Sequence, residues 1–184
     1  MTEQQEYRVI KVRGVVELRE YAPWVVADVV ASGSAEQAGS AAFRPLFEYI
    51  SGANRGAEPL AMTAPVIQQP TSERLAMTAP VTQTPSGSGF LVQFVLPKDI
   101  TLANAPEPLD SRVMLREVPP KRVAVIRYSG FWSESNYKEH LAKLQDELRA
   151  AAIAWSGEPV FSRYNAPFTP WFLRRNEIWL QLAP

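Results

Sequence analysis

What narrows the folds open to this chain most is that its second half echoes its first. Leu18-Arg19-Glu20-Tyr21-Ala22-Pro23 lines up with Leu115-Arg116-Glu117-Val118-Pro119-Pro120 at an offset of 97. The same offset pairs Val26-Ala27 with Val123-Ala124 and Ser32-Gly33 with Ser129-Gly130. At 98, Phe43, Leu46 and Ile50 meet Leu141, Leu144 and Leu148. At 102, Met62-Thr63-Ala64-Pro65-Val66 meets Tyr164-Asn165-Ala166-Pro167-Phe168. Two copies of one pattern imply two copies of one supersecondary unit.

Each copy reads strand–strand–helix–strand–strand. Residues 7–21 read as strand, where Val16 and Leu18 alternate with Glu17 and Arg19. Ala22-Pro23 breaks it, and residues 24–31 form a second, more buried strand. Ser34 and Gln37 have the spacing of a capping box, so a helix runs toward Ile50 with Gly52 as its stop. Phe43, Leu46, Phe47 and Ile50 share one face of it. Gly39 and Pro45 either kink this helix or delay its regular part to about Ser40. Residues 85–89 read as a flexible loop, 90–96 as strand and 103–110 as a connector. Residues 113–118 and 122–128 are strands around the Pro119-Pro120 break. Ser133 or Ser135 caps a second helix carrying Tyr137, Leu141, Leu144 and Leu148 in one stripe. Residues 161–168 are extended, and 177–182 form the closing strand. The pattern predicts one α+β domain over residues 1–184, with halves at about 7–98 and 112–184. The two ββαββ halves are expected to be related by a pseudo-twofold, with both helices packed on one mixed sheet or open barrel. A cleft near that axis is the expected ligand site.

A heptad repeat lies inside this larger one. Leu60-Ala61-Met62-Thr63-Ala64-Pro65-Val66 recurs letter for letter as Leu75-Ala76-Met77-Thr78-Ala79-Pro80-Val81. The β-branched Thr and the helix-forbidding Pro predict two adjacent strands, with Gln68-Gln69-Pro70-Thr71-Ser72-Glu73 as the turn. One copy fills the slot answered by Tyr164-Asn165-Ala166-Pro167-Phe168. The other is a surplus hairpin arm, and Met62 and Met77 are adaptable apolar surface near the cleft.

Composition removes several function classes. Formal net charge is +0, with no Lys/Arg cluster, so nothing draws the chain to nucleic acid or anionic membrane. Zero Cys excludes disulfides, thiolate metal sites and thiol nucleophiles. No apolar run approaches the roughly 20 residues of a membrane span, and the polar N-terminus does not suit a signal peptide, so a cytoplasmic location is expected. His140 is the one histidine, which rules out multi-histidine metal sites. It sits at the flank of the second helix's apolar stripe, as a helix histidine, a general base or an axial metal ligand. Gly87-Ser88-Gly89 lacks the continuation of a phosphate loop. What remains is aromatic richness: 5 Trp, 6 Tyr and 8 Phe. Pro170-Trp171-Phe172-Leu173 reads either as a lid on the core edge or as a ligand-facing rim. Arg174 and Arg175, next to it, can hold carboxylates of an amphipathic ligand or form surface ion pairs.

Taken in order, Phe43-Arg44-Pro45-Leu46-Phe47-Glu48-Tyr49-Ile50-Ser51-Gly52-Ala53-Asn54, the Met-Thr-Ala-Pro-Val doublet, Tyr164-Asn165-Ala166-Pro167-Phe168 and Arg174-Arg175-Asn176-Glu177-Ile178-Trp179 resemble the SOUL/heme-binding protein family. The likeness runs over about residues 7–182. It implies a distorted β-barrel of two repeated halves with two flanking helices, an architecture similar to bacterial GyrI-like effector-binding domains. It also implies non-covalent binding of heme or a related tetrapyrrole in an apolar cleft, by a carrier or buffer without catalysis. Such a macrocycle needs an apolar slot and cationic or wet partners for its propionates. On chemistry, Phe43, Phe47, Met62, Met77 and Trp171 suit the slot, and Arg44, Arg174 and Arg175 suit the propionates. A vertebrate branch of the family has a histidine proposed as axial ligand where this chain has Glu20. That leaves His140, a Met or Tyr, or apolar contact alone to hold heme. Two other readings stand beside this one. One is a GyrI-like module for other hydrophobic small molecules; the other is a hydrolase using cleft carboxylates, with Glu20, Glu117 and Glu177 as candidates.

Overall fold

A computed structural model describes residues 3–56, 74–75, 77–165 and 168–184. In chain order its elements are β1 (Glu3–Gln4), β2 (Arg8–Arg13), β3 (Val16–Tyr21), β4 (Trp24–Ser32), α1 (Ala35–Ile50) and β5 (Asn54–Arg55). There follow β6 (Thr78–Ala79), β7 (Val81–Ser86), β8 (Gly89–Val95), β9 (Glu107–Pro108), β10 (Met114–Val118) and β11 (Lys121–Tyr128). The chain ends with α2 (Glu134–Ala150), β12 (Trp155–Arg163), a 3-10 turn (Trp171–Leu173) and β13 (Asn176–Leu182). The first copy of the heptad and the turn after it, residues 60–73, lie outside the described residues.

Nine strands form one sheet in the order β10-β4-β8-β7-β12-β13-β11-β3-β2. Every neighbouring pair in it is antiparallel. The expected mixed barrel is therefore corrected. The large sheet is not mixed, and among the described residues it is not closed, because β10 and β2 end it without pairing to each other. The chemistry of the ends explains this: all six residues of β2 are exposed, and Arg8, Lys11 and Arg13 blunt the edge against further pairing. The single strand expected over residues 7–21 is instead a hairpin. Gly14, at φ 54, turns the chain between β2 and β3 where a side chain would be strained. Residues 85–89 are likewise the tight end of the β7–β8 hairpin rather than a loose loop. Pro85 is tolerated in β7 because the ladder to β12 stops at Gln83, so no donor is missed.

The capping box is formed. Ser34 Oγ accepts from the Gln37 amide at 3.3 Å, and Gln37 Oε1 accepts from the Ser34 amide at 3.0 Å. The helix thus starts at Ala35 and runs through Pro45. Ser34→Ala is expected to cost about 1 kcal/mol, read as a lower urea midpoint with unchanged slope.

Leu46 and Ile50 of α1 pack on Val25, Ala27, Val29, Val92 and Phe94 of β4 and β8. Leu144 and Leu148 of α2 pack on Val16, Leu18, Ala124, Ile126, Ile178 and Leu180 of β3, β11 and β13. Cross-strand register puts Phe94, Val81, Arg163, Asn176 and Tyr128 in one row. Opposed residues of an antiparallel pair point to the same side. Phe94 belongs to the core under α1 and Tyr128 to that under α2, so both helices cover the same face. The opposite face carries a third cluster of Tyr21, Val123, Val125 and Trp179 with Tyr7, Trp24, Val160 and Tyr164. No helix of the described residues is long and apolar enough to cross a membrane.

Candidate ligand-binding site

Between the two helices the sheet row is left to β7, β12 and their neighbours, and its centre is a cation. Arg163 belongs to β12, and its guanidinium lies 4.7 Å from the Trp132 ring centroid and 4.9 Å from that of Phe161. Gly39 of α1 faces it: a Cβ there would stand 3.7 Å from Arg163 Nη1 and 3.6 Å from Gln83 Oε1. Among the described residues Arg163 forms no ion pair, and its Nε is buried without a partner. Burial pulls its pKa down; Tyr128 and Glu36 oppose this, while nearby Arg174 adds to it. Cations are rarely buried without a counter-charge. Arg174 stacks on the same Trp132 ring at 4.3 Å and donates from Nε to the Thr169 carbonyl. Trp132 is fixed by its indole N–H, which donates to Asn176 Oδ1 at 2.8 Å.

Aromatic surface lies on both sides of Arg163. Toward α1, Phe43 packs edge-on against Phe94 at 5.4 Å and stacks on Phe47 at 5.8 Å. Toward α2, Phe131 stacks on Trp171 at 5.2 Å, and Trp171 meets Phe172 edge-on at 5.6 Å. The Gly130 amide donates to the Trp171 carbonyl and ties these two segments together. Phe43, Phe47 and Trp171 remain 40%, 46% and 49% exposed, although the fold buries Leu46 completely on the next position of the same helix.

His140 stacks on Tyr128 with ring centroids 4.0 Å apart. Its Nδ1 lies 2.8 Å from the Asn136 carbonyl. A carbonyl only accepts, so Nδ1 is the nitrogen that donates here and Nε2 is the one turned away from that bond. Tyr128, whose pKa is raised by burial, lies between this imidazole and Arg163 in the row. Among the described residues no cluster of three His, Asp or Glu side chains is arranged to hold a metal ion.

The other sequence candidates are placed elsewhere. Arg44 is exposed on α1 and paired with Glu48 at 2.8 Å. Met77 is exposed just before β6, and Met62 lies outside the described residues. Arg175 is on the face opposite the helices, in a buried polar cluster around Glu177. There the Glu177 carboxylate receives both terminal nitrogens of Arg19 at 2.9 and 3.1 Å and Arg175 Nη2 at 2.7 Å. The Tyr164 hydroxyl at 2.8 Å and the Trp179 indole at 2.9 Å complete its shell. Glu177 and Arg19 are 0% and 1% exposed. Burial pushes the Glu177 pKa up, but Arg19, Arg175 and Trp179 outweigh it, and the carboxyl is held below its ordinary value. Glu20, bridged by Arg8 and Arg122, is lowered as well. Neither has the raised pKa that a general acid requires. Glu117 lines a cavity of ≈ 230 Å³ with Trp24, Leu96 and Ile100.

Arg163 and Trp132 were not singled out from the sequence. The available signal was an arginine at a helix-facing register position, in Phe161-Ser162-Arg163-Tyr164. It was invisible without knowing how β12 pairs.

Comparison with known proteins gives this geometry a family. The family model described as SOUL heme-binding protein matches residues 2–181. Human heme-binding protein 2 is 29% identical over 174 residues, 91% of this chain and 78% of that protein. Among solved structures, the EcmrR C-terminal domain is similar with a TM-score of 0.58 and 12% identity, over 96% of this chain and 98% of that one. A structure described as a hydrolase from Listeria innocua has a TM-score of 0.59 and 10% identity, over 95% and 94% of the two chains. Likeness at such identities concerns the fold alone. With nearly the whole sequence matched by one family model, this chain belongs to the SOUL heme-binding protein family.

Proposed function

We propose that the protein binds heme or a related tetrapyrrole non-covalently in the groove between α1 and α2, as a cytoplasmic carrier or buffer that performs no chemistry on it. The observation that carries this reading is the half-exposed aromatic surface of Phe43, Phe47 and Trp171 on either side of Arg163. Half-exposed aromatic surface of this kind marks a site of association. Family membership and the name of the human relative support the ligand class. The residues present fit the group: aromatic faces for the macrocycle, cations for its acid arms, and the His140 imidazole. His140 would be the residue to hold the iron through Nε2, and bound heme would supply that metal. Phe43, Phe47 and Trp171 shield the macrocycle from water, and Arg174 stands beside them.

The two halves are also read as related by a pseudo-twofold, which the strand order supports. From one end the sheet runs β10-β4-β8-β7, and from the other, inside β2, β3-β11-β13-β12.

Hemin titration of the purified protein tests the binding reading. A Soret shift saturating at one equivalent is expected, and Phe47→Ala should weaken binding about 10- to 100-fold with no loss of fold. A shift no larger than an unrelated apolar protein gives would sink the reading. An unchanged Soret band in His140→Ala would remove the imidazole as ligand and leave the rest standing.

A further inference from the structure

We propose that Arg163 is the seat for a free carboxylate of the ligand, so that this groove selects amphipathic aromatic acids over their esters and amides. The inference rests on the binding reading above and says which chemical form of the ligand is taken. Four observations meet at this side chain. Arg163 lies in the middle of the row between the two helices, flanked by the aromatic surface of α1 on one side and of the 171–173 turn on the other. Its guanidinium makes no hydrogen bond or ion pair among the described residues, and of its nitrogens only Nε is sealed from solvent. It lies over two aromatic rings, contacts that use none of its hydrogen-bond donors. Gly39 of α1 approaches Nη1 closely, where a Cβ would stand 3.7 Å away, so no side chain of that helix position comes between them.

The energetics favour an anion. A guanidinium held half-buried without a counter-charge has already lost part of its hydration, so a carboxylate that arrives there meets a preorganised donor pair. Its planar fork matches the two oxygens of a carboxylate and cannot pair in that way with an ester. Arg174 on the same Trp132 ring adds positive potential. The one nearby acid, Glu36, attracts Arg163 electrostatically but forms no ion pair with it. The contrast with Arg44, Arg175 and Arg19 is chemical: each of those is already paired with a glutamate, at 2.8, 2.7 and 2.7 Å.

The test compares protoporphyrin IX with its dimethyl ester by quenching of tryptophan fluorescence, in wild type, Arg163→Gln and Arg163→Lys. Wild type is expected to bind the diacid about 10- to 100-fold more tightly than the diester. Arg163→Gln should remove that preference through weaker diacid binding, while Arg163→Lys keeps part of it. Diacid affinity in wild type should also fall with added salt more than diester affinity does. A preference retained in Arg163→Gln, or equal wild-type affinity for acid and ester, overturns the carboxylate seat and leaves porphyrin binding intact. Binding of neither porphyrin overturns both.

Discussion

Glu177→Gln is expected to destabilise the protein by about 3–5 kcal/mol, measured as a lower urea midpoint and melting temperature. The substitution keeps shape and volume but leaves Arg19 and Arg175 facing a neutral amide. Arg19 is 1% exposed and cannot recover hydration, and its own pKa is held up by Glu177 against the downward pull of burial. Breaking a buried pair from one side costs far more than the pair contributes net: Arg19 keeps only the partly exposed Glu17, at 2.7 Å, and Arg175 loses its carboxylate. At about 2–4 °C per kcal/mol for a domain of this size, the melting temperature should fall by roughly 6–20 °C. The pH dependence has a definite sign. The Glu177 carboxyl is lowered below 4.5 in the folded state. Its contribution is therefore complete above that value and is lost as pH falls through the folded pKa. Glu20, Asp110, Glu134 and Glu139 are also lowered and shape the acid limb. The difference between wild type and Glu177→Gln isolates the one buried group. It should shrink on acidification, and a difference independent of pH would show that the carboxylate is not ionised in the fold.

Leu46→Ala and Leu144→Ala are each expected to cost about 2–5 kcal/mol, through lost apolar burial plus the cavity left behind. Both side chains are 0% exposed, one under each helix. Their cores share no residue: Leu46 packs among Val25, Ala27, Phe94 and their neighbours, Leu144 among Leu18, Ile126, Ile178 and theirs. The two losses should accordingly add to within about 0.5 kcal/mol. The double variant then loses a sum comparable to the 5–15 kcal/mol of a whole domain and should be largely unfolded at 37 °C. A double variant no less stable than either single one would mean that the two cores do not behave as separate packing units.

Local rules read this chain well where the cause was local. Ser34 and Gln37 cap α1 as their spacing requires, and the Leu144/Leu148 stripe is the buried face of α2. The Phe43/Phe47 pair also sits at helical spacing, but the helix turns those two rings partly outward while Leu46 and Ile50 go in. Hydrophobic periodicity marks a face and does not say where its rim lies. What sequence could not give was long-range. The sheet's openness depends on which strands end it, and the burial of Arg19 depends on Glu177, a partner far along the chain. Arg163 looked like any strand arginine because nothing within a few residues marks it as facing α1. Of the basic residues picked for the ligand, Arg174 lies over the same Trp132 ring as Arg163. Arg175, its neighbour in a locally extended segment, went to the opposite face, as alternation along the chain dictates.

The pairing of β3 with β11 and of β10 with β4 has a consequence for how the chain is made. Tyr21 is aligned with Lys121 and Val16 with Ile126, while Asp28 waits for Met114. At ribosomal rates of about 5–20 residues per second, the inner edge of β3 stays unpaired for roughly 5–20 s after it is synthesised. During that time β4 likewise has one side open. Two neighbouring strand edges of a nascent chain are then exposed together, before the second half exists to cover them. Wrong pairing with another chain is most probable in that window, so synthesis speed between residues 32 and 126 should govern the soluble yield more than native stability does.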